Sequence, residues 1–280
     1  MENLTFIVKD VCGEMKISDY MKSRLGFSSS LITKVKYGGV SLNGSMVTMR
    51  ATVHNGDEIR VVFPDEKSEN VEPMNIPLDI LYEDEYILAV NKPSDMPTHP
   101  SKGNNLPTLA NAVAAYMGGN FVFRAVNRLD RGTSGIVIIA KDPLSAAKLG
   151  KAMKERKINK TYVAKITGIP ALKEGRIEAP IARETEGELK RIVREDGKIA
   201  ITDYKVISIT EDGNSICELK LHTGRTHQIR VHMAHIGHSL VGDFLYGVED
   251  ESGYFLTCSE ISFEHPITKE KLTIKTPPSV

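Results

Sequence analysis

The sequence lacks the features that mark membrane-spanning, secreted or metal-clustered proteins. It has no tryptophan and only three cysteines, Cys12, Cys217 and Cys258, which lie far apart. An odd number of dispersed cysteines argues against a disulfide framework and against a cysteine zinc site. No apolar run approaches the roughly 18 residues that a membrane-spanning helix needs. The first residues, MENLTFIVKDVCGEMK, have no apolar core of the signal-peptide type. We therefore expect a cytoplasmic protein without membrane association.

An excess of charge of either sign is also missing, since 36 Lys and Arg balance 36 Asp and Glu. This balance argues against a nonspecific nucleic-acid binder, but the charges are unevenly spread. Residues 120–170 contain eleven Lys and Arg against three Asp and Glu. A locally basic stretch in a neutral protein is typical of a defined polyanion-binding face. One or two well-solvated helices would produce the same pattern.

The length of 280 residues suits one large and one small domain. Residues 65–75, DEKSENVEPMN, are polar and lack apolar periodicity, so they predict a linker. We accordingly expect domains at residues 1–64 and 76–280. In the first, apolar spacing predicts helices at 15–25 and 28–35, and alternation predicts strands at 40–42 and 58–63.

The segment after the linker is predicted to be mostly β-structure. Short apolar or alternating runs predict strands at 80–81, 87–90, 136–140, 160–167, 201–210 and 215–221. Three segments have helical spacing: 106–117 with Pro107 in its first turn, 142–158 with Asp142 as its cap, and 227–236, which ends at Gly237.

The most informative segment is NRLDRGTSG at residues 127–135. Asp130 lies between two arginines in a tight turn, where Gly132 and Gly135 permit sharp bends. A carboxylate held in this way is a candidate nucleophile. The chemistry of these residues alone favours a purely structural Arg–Asp–Arg turn, so the segment by itself leaves both interpretations open.

This segment resembles the signature HRLDRxTSG of the RluA-type pseudouridine synthases. Three further segments are similar to that family in the expected order: NKP at 91–93, KTYVAKITG at 160–168 and TGRTHQIRVH at 223–232. The similarity spans roughly residues 76–278. It implies an α+β pseudouridine synthase fold with a central mixed, mostly antiparallel sheet. It also implies an enzyme that detaches uracil from ribose in RNA and rejoins it through carbon.

The resemblance implies a role for individual residues. Asp130 would be the catalytic carboxylate, and Arg128 would fill the gap that a flipped-out uridine leaves in the RNA. Tyr162 would stack on the flipped base, Leu256 would pack beneath it, and Arg225 would pair with Asp130. Base flipping costs a few kcal/mol, which an inserted side chain and an aromatic platform offset. Without the resemblance, Tyr162 would be interpreted as an ordinary half-buried strand tyrosine.

The sequence departs from the family pattern at three places. Asn127 replaces the usual His, Asp95 stands where Gly usually follows Lys-Pro, and Leu256-Thr257-Cys258 replaces the usual Leu-His-Ala. These departures put local hydrogen bonding and the shape of the loop around Asp95 in doubt. None of them removes Asp130, Tyr162 or Arg225.

Residues 1–64 resemble the small S-four-like RNA-binding domain, through SSSLITKVKYGGVSLNG and NGDEIRVVF. This similarity implies a small α/β module in which Lys34 and Lys36 contact RNA. We also expect Arg131, which follows Asp130 in the NRLDRGTSG segment, to bind RNA. Such domains recognise mainly shape and phosphates. A generic small α/β module is the alternative interpretation.

The five histidines between residues 222 and 238 do not have the spacing of a metal site, and no acidic residue interrupts them. We therefore expect no metal, and the resemblance implies no nucleotide or redox cofactor. The expected partner is RNA, with large-subunit ribosomal RNA as the first choice and transfer RNA as the alternative. The protein itself is expected to be a monomer. Two other functions remain open: a non-catalytic RNA-binding or ribosome-assembly factor, and a hydrolase that combines Asp130 with the histidines.

Overall fold

The computed structural model describes residues 3–64, 71–100, 107–249 and 253–278. Most of the predicted linker, residues 65–70, and the predicted first residue of the helix at 106–117 lie outside these ranges. In the described part of the chain, no helix combines the length and the apolarity needed to span a membrane.

The N-terminal unit places two short helices against a small antiparallel sheet of order β1-β6-β3-β4. Its elements are β1 Asn3–Ile7, β2 Met15–Lys16, α1 Ile17–Ser23, α2 Ser29–Val35, β3 Val40–Leu42, β4 Ser45–Met46, β5 Thr52–Val53 and β6 Glu58–Val62. Ser28 caps α2 by accepting a hydrogen bond from the backbone of Leu31, as polar caps commonly do. Alternation in β6 buries Ile59 and Val61 against the helices.

The larger unit contains the remaining elements. They are β7 Asp79–Glu83, β8 Ile87–Lys92, α3 Leu109–Tyr116, β9 Arg124–Ala125, β10 Ser134–Ala140, α4 Pro143–Lys154, β11 Asn159–Ile166, β12 Glu174–Glu178, β13 Ile181–Arg183, β14 Arg191–Val193, β15 Ile201–Ile209, β16 Ser215–Leu221, α5 Gln228–His235, β17 Leu256–Glu264 and β18 Lys271–Lys275.

Ten of these strands form one sheet with the central order β12-β15-β16-β11-β17-β10-β8-β7. Among its pairings in the described residues, β10 with β17 is parallel and the others are antiparallel. The predicted mixed, mostly antiparallel sheet is therefore confirmed. All seven residues of β10 are buried, because this strand lies in the middle of the sheet.

Two predicted helix boundaries are wrong for local reasons. Helix α3 begins after Thr108, not around Pro107, because Thr108 and Asn111 form a reciprocal capping box. Helix α4 has the predicted Asp142 cap but ends at Lys154 and not at residue 158. The chain leaves the helix there because Arg156 adopts a positive φ of 58°, which a right-handed helix does not tolerate.

The two units share part of a hydrophobic core. Leu144, near the start of α4, is 0 % exposed and belongs to the same cluster as the buried side chains of the N-terminal unit. Tyr86 and Ile267 of the larger unit pack against that cluster. Helix α4 therefore contacts the N-terminal unit through its first turns.

Candidate active site

A cleft of about 750 Å³ brings together distant segments of the larger unit. One wall consists of residues 125–133 and the end of α4, and the other consists of residues 221–227 and the start of α5. The cleft is lined by all five residues that the sequence analysis assigned to catalysis or base binding: Arg128, Asp130, Tyr162, Arg225 and Leu256.

The turn that carries Asp130 is held by the buried ammonium of Lys92. Lys92 is 0 % exposed, and its Nζ donates to the carbonyl oxygens of Pro93 and Met96 at 2.7 Å and of Arg131 at 3.2 Å. An ammonium has three N–H donors, so all are used. Burial lowers the pKa of Lys92 to about 7, although the charge of Asp130 opposes that shift. In the sequence, Lys92 is recognisable only as part of the matching NKP segment.

Side chains of the neighbouring loop brace the same turn. The Ser94 hydroxyl donates to the carbonyl oxygen of Gly132 at 3.2 Å. The Thr98 hydroxyl donates to the carbonyl oxygen of Leu129 at 2.8 Å and accepts from its N–H at 3.2 Å. Asp130 therefore lies on a backbone fixed from both sides, as a catalytic group requires.

The structure explains two departures from the family pattern. Asp95 has a φ of 62°, the left-handed conformation that glycine favours, and its carboxylate lies 3.5 Å from Nε of Arg131. The buried amide of Asn127 donates to the carbonyl oxygen of Ile136 and accepts from the N–H of Ile138, each at 2.9 Å. Asn127 thus pairs with β10 and fixes the start of the turn that carries Asp130.

The end of that turn requires a glycine. Gly135 has a φ of 107°, and a Cβ atom there would lie 2.3 Å from the carbonyl oxygen of Cys258. This close approach allows β10 and β17 to pair in parallel. At the third departure, the Thr257 hydroxyl lies 2.8 Å from the Ser134 hydroxyl, which adds a side-chain bond to the same pairing.

Tyr162 lies opposite Cys258 in the register of β11 and β17. Burial raises the pKa of Tyr162 well above 10 and that of Cys258 to about 12. Both groups are therefore protonated at neutral pH, which excludes a thiolate nucleophile here. Leu256 is buried two residues before Cys258, at the start of β17.

The expected pair between Arg225 and Asp130 is not formed. In the described residues no ion pair joins the two side chains, and Nε of Arg225 donates instead to the carbonyl oxygen of Ile199 at 3.0 Å. Arg225 remains a residue of the cleft wall. Its backbone N–H donates to the side-chain oxygen of Gln228 at 3.0 Å. This bond ties the turn at Arg225 to the first residue of α5.

Arg230, a second arginine of the same motif, is a cleft residue that was not predicted from the sequence. It is 3 % exposed, lines the cleft and binds the fully buried Asp243 through two bonds of 2.7 and 2.6 Å. Its guanidinium carbon lies 4.4 Å from the ring centre of Tyr254 and 5.0 Å from that of Tyr246. All three partners lie outside residues 223–232, and only tertiary contacts distinguish this arginine from Arg225.

The three residues expected to bind RNA lie outside the cleft. Lys34 and Lys36 are exposed at the end of α2, and Nζ of Lys36 lies 4.5 Å from the ring centre of Tyr37. Arg131 is exposed and pairs with Asp95.

The cleft is strongly cationic. Among the described lining residues Asp130 is the sole carboxylate, whereas the cations are Arg128, Lys154, Arg156, Lys160, Arg225 and Arg230. The described residues contain no cluster of three or more His, Cys, Asp or Glu side chains that could hold a metal ion. The arrangement suits a polyanion bound around one carboxylate.

Comparisons with known proteins agree with this chemistry. Residues 86–235 match the family model described as RNA pseudouridylate synthase. The chain is 38 % identical to the Bacillus subtilis protein named "Uncharacterized RNA pseudouridine synthase YjbO". The 271 aligned residues cover 94 % of this chain and 95 % of that protein. It is 40 % identical over 233 residues to "Ribosomal large subunit pseudouridine synthase D" of Pasteurella multocida, covering 82 % of this chain and 69 % of that protein.

Solved structures show the same fold. Human RNA Pseudouridylate Synthase Domain Containing 1 superimposes with a TM-score of 0.62 at 29 % identity, over 74 % of this chain and 86 % of that chain. Taken with the family match and the curated relatives, this similarity shows that the chain belongs to the RNA pseudouridylate synthase family and is an enzyme that isomerises uridine in RNA to pseudouridine.

Proposed function

We propose that the chain modifies uridines of large-subunit ribosomal RNA and that Asp130 is its catalytic carboxylate. The observation that carries the assignment is that Asp130 is the sole carboxylate among the described residues of a cleft otherwise lined by cations. The relative from Pasteurella multocida, named for the large ribosomal subunit, supports the choice of RNA. The reaction is an intramolecular transfer without net oxidation, so we propose that it proceeds without metal, nucleotide or redox cofactor.

In the proposed mechanism, Asp130 assists cleavage of the bond between uracil N1 and the ribose. The detached base rotates beside the buried Tyr162, and its C5 attacks the same ribose carbon. The hydrogen on C5 then leaves to solvent and N1 takes up a proton, which balances the isomerisation. Arg128, exposed at the cleft mouth, would occupy the space that the flipped nucleotide vacates, while Leu256 packs beneath the base.

We propose that the N-terminal unit is an S-four-like RNA-binding module and that the enzyme acts as a cytoplasmic monomer. The exposed Lys34 and Lys36 lie together at the end of α2, where they suit phosphate contacts. Arg131 would add a further contact beside the cleft.

The decisive experiment compares wild type with Asp130→Asn, which keeps the size of the side chain and removes its charge. The assay is tritium release from [5-³H]uridine-labelled ribosomal RNA of a strain that lacks the gene. Asp130→Asn should lose at least about 100-fold in rate and keep its RNA affinity. Asp196→Asn, which alters an exposed carboxylate paired with Arg194, is the matched control.

Three results would contradict parts of the proposal. Activity of Asp130→Asn above about 1 % of wild type would remove Asp130 from the chemistry. Tritium release from transfer RNA alone would overturn the choice of ribosomal RNA. Tight RNA binding by the wild type without release from any RNA would favour a non-catalytic RNA-binding factor.

A further inference from the structure

Lys160 places an uncompensated positive charge in the cleft. It lies in β11 two residues before Tyr162, so the two side chains lie on the same face of the strand. Lys160 is half-buried and lines the cleft. In the described part of the chain, its ammonium has neither a hydrogen bond nor an ion pair. The titratable group that acts on it is the thiol of Cys258, which is neutral at ordinary pH.

This arrangement costs free energy in the absence of a ligand. Burial lowers the pKa of Lys160, because an ammonium withdrawn from water is disfavoured unless an anion faces it. The buried Arg230 in the same cleft shows the usual solution, since Asp243 binds it with two hydrogen bonds. Lys160 has no such partner, so a bound anion would supply the missing charge.

The ammonium faces an open gap in the opposite wall. A Cβ atom at Gly224 would lie 3.8 Å from Nζ of Lys160, and no other heavy atom beyond the adjacent residues lies within 4 Å of that position. Arg225 follows directly, and its Nε is bound to Ile199. Its two terminal nitrogens have no carboxylate partner within 4 Å among the described residues. Lys160 and Arg225 therefore both line the cleft without a carboxylate partner.

Lys160 lies close to the proposed base site and not against the catalytic candidate. Lys160 and Tyr162 share one face of β11 and both line the cleft, whereas no ion pair joins Lys160 to Asp130 in the described residues. A group held by Lys160 therefore suits the RNA backbone next to the target nucleotide.

We propose that Lys160 and Arg225 together hold one backbone phosphate adjacent to the flipped uridine, which makes Lys160 a substrate-positioning residue. The inference rests on the proposed function, since it presupposes RNA in the cleft. A phosphodiester presents two charged oxygens, so the ammonium of Lys160 and the guanidinium of Arg225 each have an acceptor.

The test measures both binding and turnover of Lys160→Met, which keeps the length of the side chain and removes its charge. Affinity for ribosomal RNA from a gene-deleted strain is measured by filter binding over a series of KCl concentrations. The slope of log affinity against log salt should become shallower by about 0.7–0.9 for one lost phosphate contact. KM should rise about tenfold or more, while kcat at saturating RNA remains close to wild type.

Matched variants separate a phosphate contact from other causes. Lys160→Arg should restore the slope, and Arg225→Met should make it shallower by a similar amount. Lys275 is an exposed residue of β18 that is paired with Glu260 of β17. Lys275→Met should therefore change neither the salt slope nor KM. If Lys160→Met does not fold, as judged by circular dichroism, Lys160→Gln replaces it in the same assays.

An unchanged salt slope and KM in Lys160→Met would overturn the inference. A fall in kcat with unchanged affinity would do the same, because it would assign Lys160 to the chemistry. Neither result affects the proposed function, which is tested separately by tritium release from ribosomal RNA by wild type and by Asp130→Asn.

Discussion

The ammonium of Lys92 donates to the carbonyl oxygen of Arg131 over 3.2 Å and joins the end of β8 to the turn that carries Asp130. Lys92→Met should therefore loosen this turn. We expect a loss of about 2–4 kcal/mol in stability, because three partly buried hydrogen bonds to carbonyl groups are lost. We also expect a several-fold lower kcat with little change in KM. Thermal unfolding and tritium release measure these effects, with Lys275→Met as the control. Unchanged kcat would show that Lys92 does not position Asp130.

The lowered pKa of Lys92, about 7 in the folded protein, predicts how stability depends on pH. The unfolded chain should bind this proton up to about pH 10.4. Between the two values the unfolded state holds more protons, so the contribution of Lys92 to stability rises with pH in that window and is constant below it. Urea unfolding at about pH 6, 8 and 9.5 should show a growing difference between wild type and Lys92→Met. A difference that stays flat or shrinks would contradict the assignment.

Asp95 holds a left-handed backbone where the family usually has glycine. Asp95→Gly should preserve activity, because glycine adopts this conformation without strain and the exposed pair with Arg131 is worth at most about 1 kcal/mol. Asp95→Val should cost about 1–3 kcal/mol, since a β-branched residue is strained at positive φ. The comparison uses thermal unfolding together with tritium release. Equal stability of the two variants would show that the left-handed backbone conformation at residue 95 does not limit which side chain is tolerated there.

Gly135→Ala should strongly destabilise the protein. The new Cβ atom would collide with the backbone of Cys258, which separates β10 from β17, and the strain at positive φ alone costs about 1–3 kcal/mol. Gly150→Ala in α4 is the matched control, since nothing lies within 4 Å of its added Cβ. It should stabilise by about 0.5–1 kcal/mol. Chemical denaturation measures both, and comparable stabilities would show that the pairing tolerates a side chain.

A chain that begins at residue 71 should still fold but should bind ribosomal RNA with a shallower salt slope, because it lacks Lys34 and Lys36.

The shortened chain should also expose Leu144, which packs into the core of the N-terminal unit. Leu144→Gln should therefore improve the solubility of the shortened chain but destabilise the full-length protein by about 2–5 kcal/mol. A similar effect in both backgrounds would mean that the N-terminal unit does not cover Leu144.

Local chemistry in the sequence determined much of the fold. The Asp142 cap and the strand at 215–221 follow from residue types within a few positions of each other, and the structure has them where they were predicted. The family motifs likewise identified Asp130 and Tyr162, which both line the cleft. Strand β17 was not predicted as a strand. Its pairing with β10 depends on the close approach of Gly135 to Cys258, which is more than 100 residues away in the sequence.

The tertiary structure alone decided which arginine binds a carboxylate. Arg225 and Arg230 belong to one motif, and the family resemblance implied a pair between Arg225 and Asp130. Folding buries Arg230 against Asp243 and leaves Arg225 on the cleft wall, bound to the backbone of Ile199. Sequence determines the residue types available for a site, but burial and charge pairing depend on contacts between distant segments. Those contacts also left Lys160 in the cleft without a counter-charge.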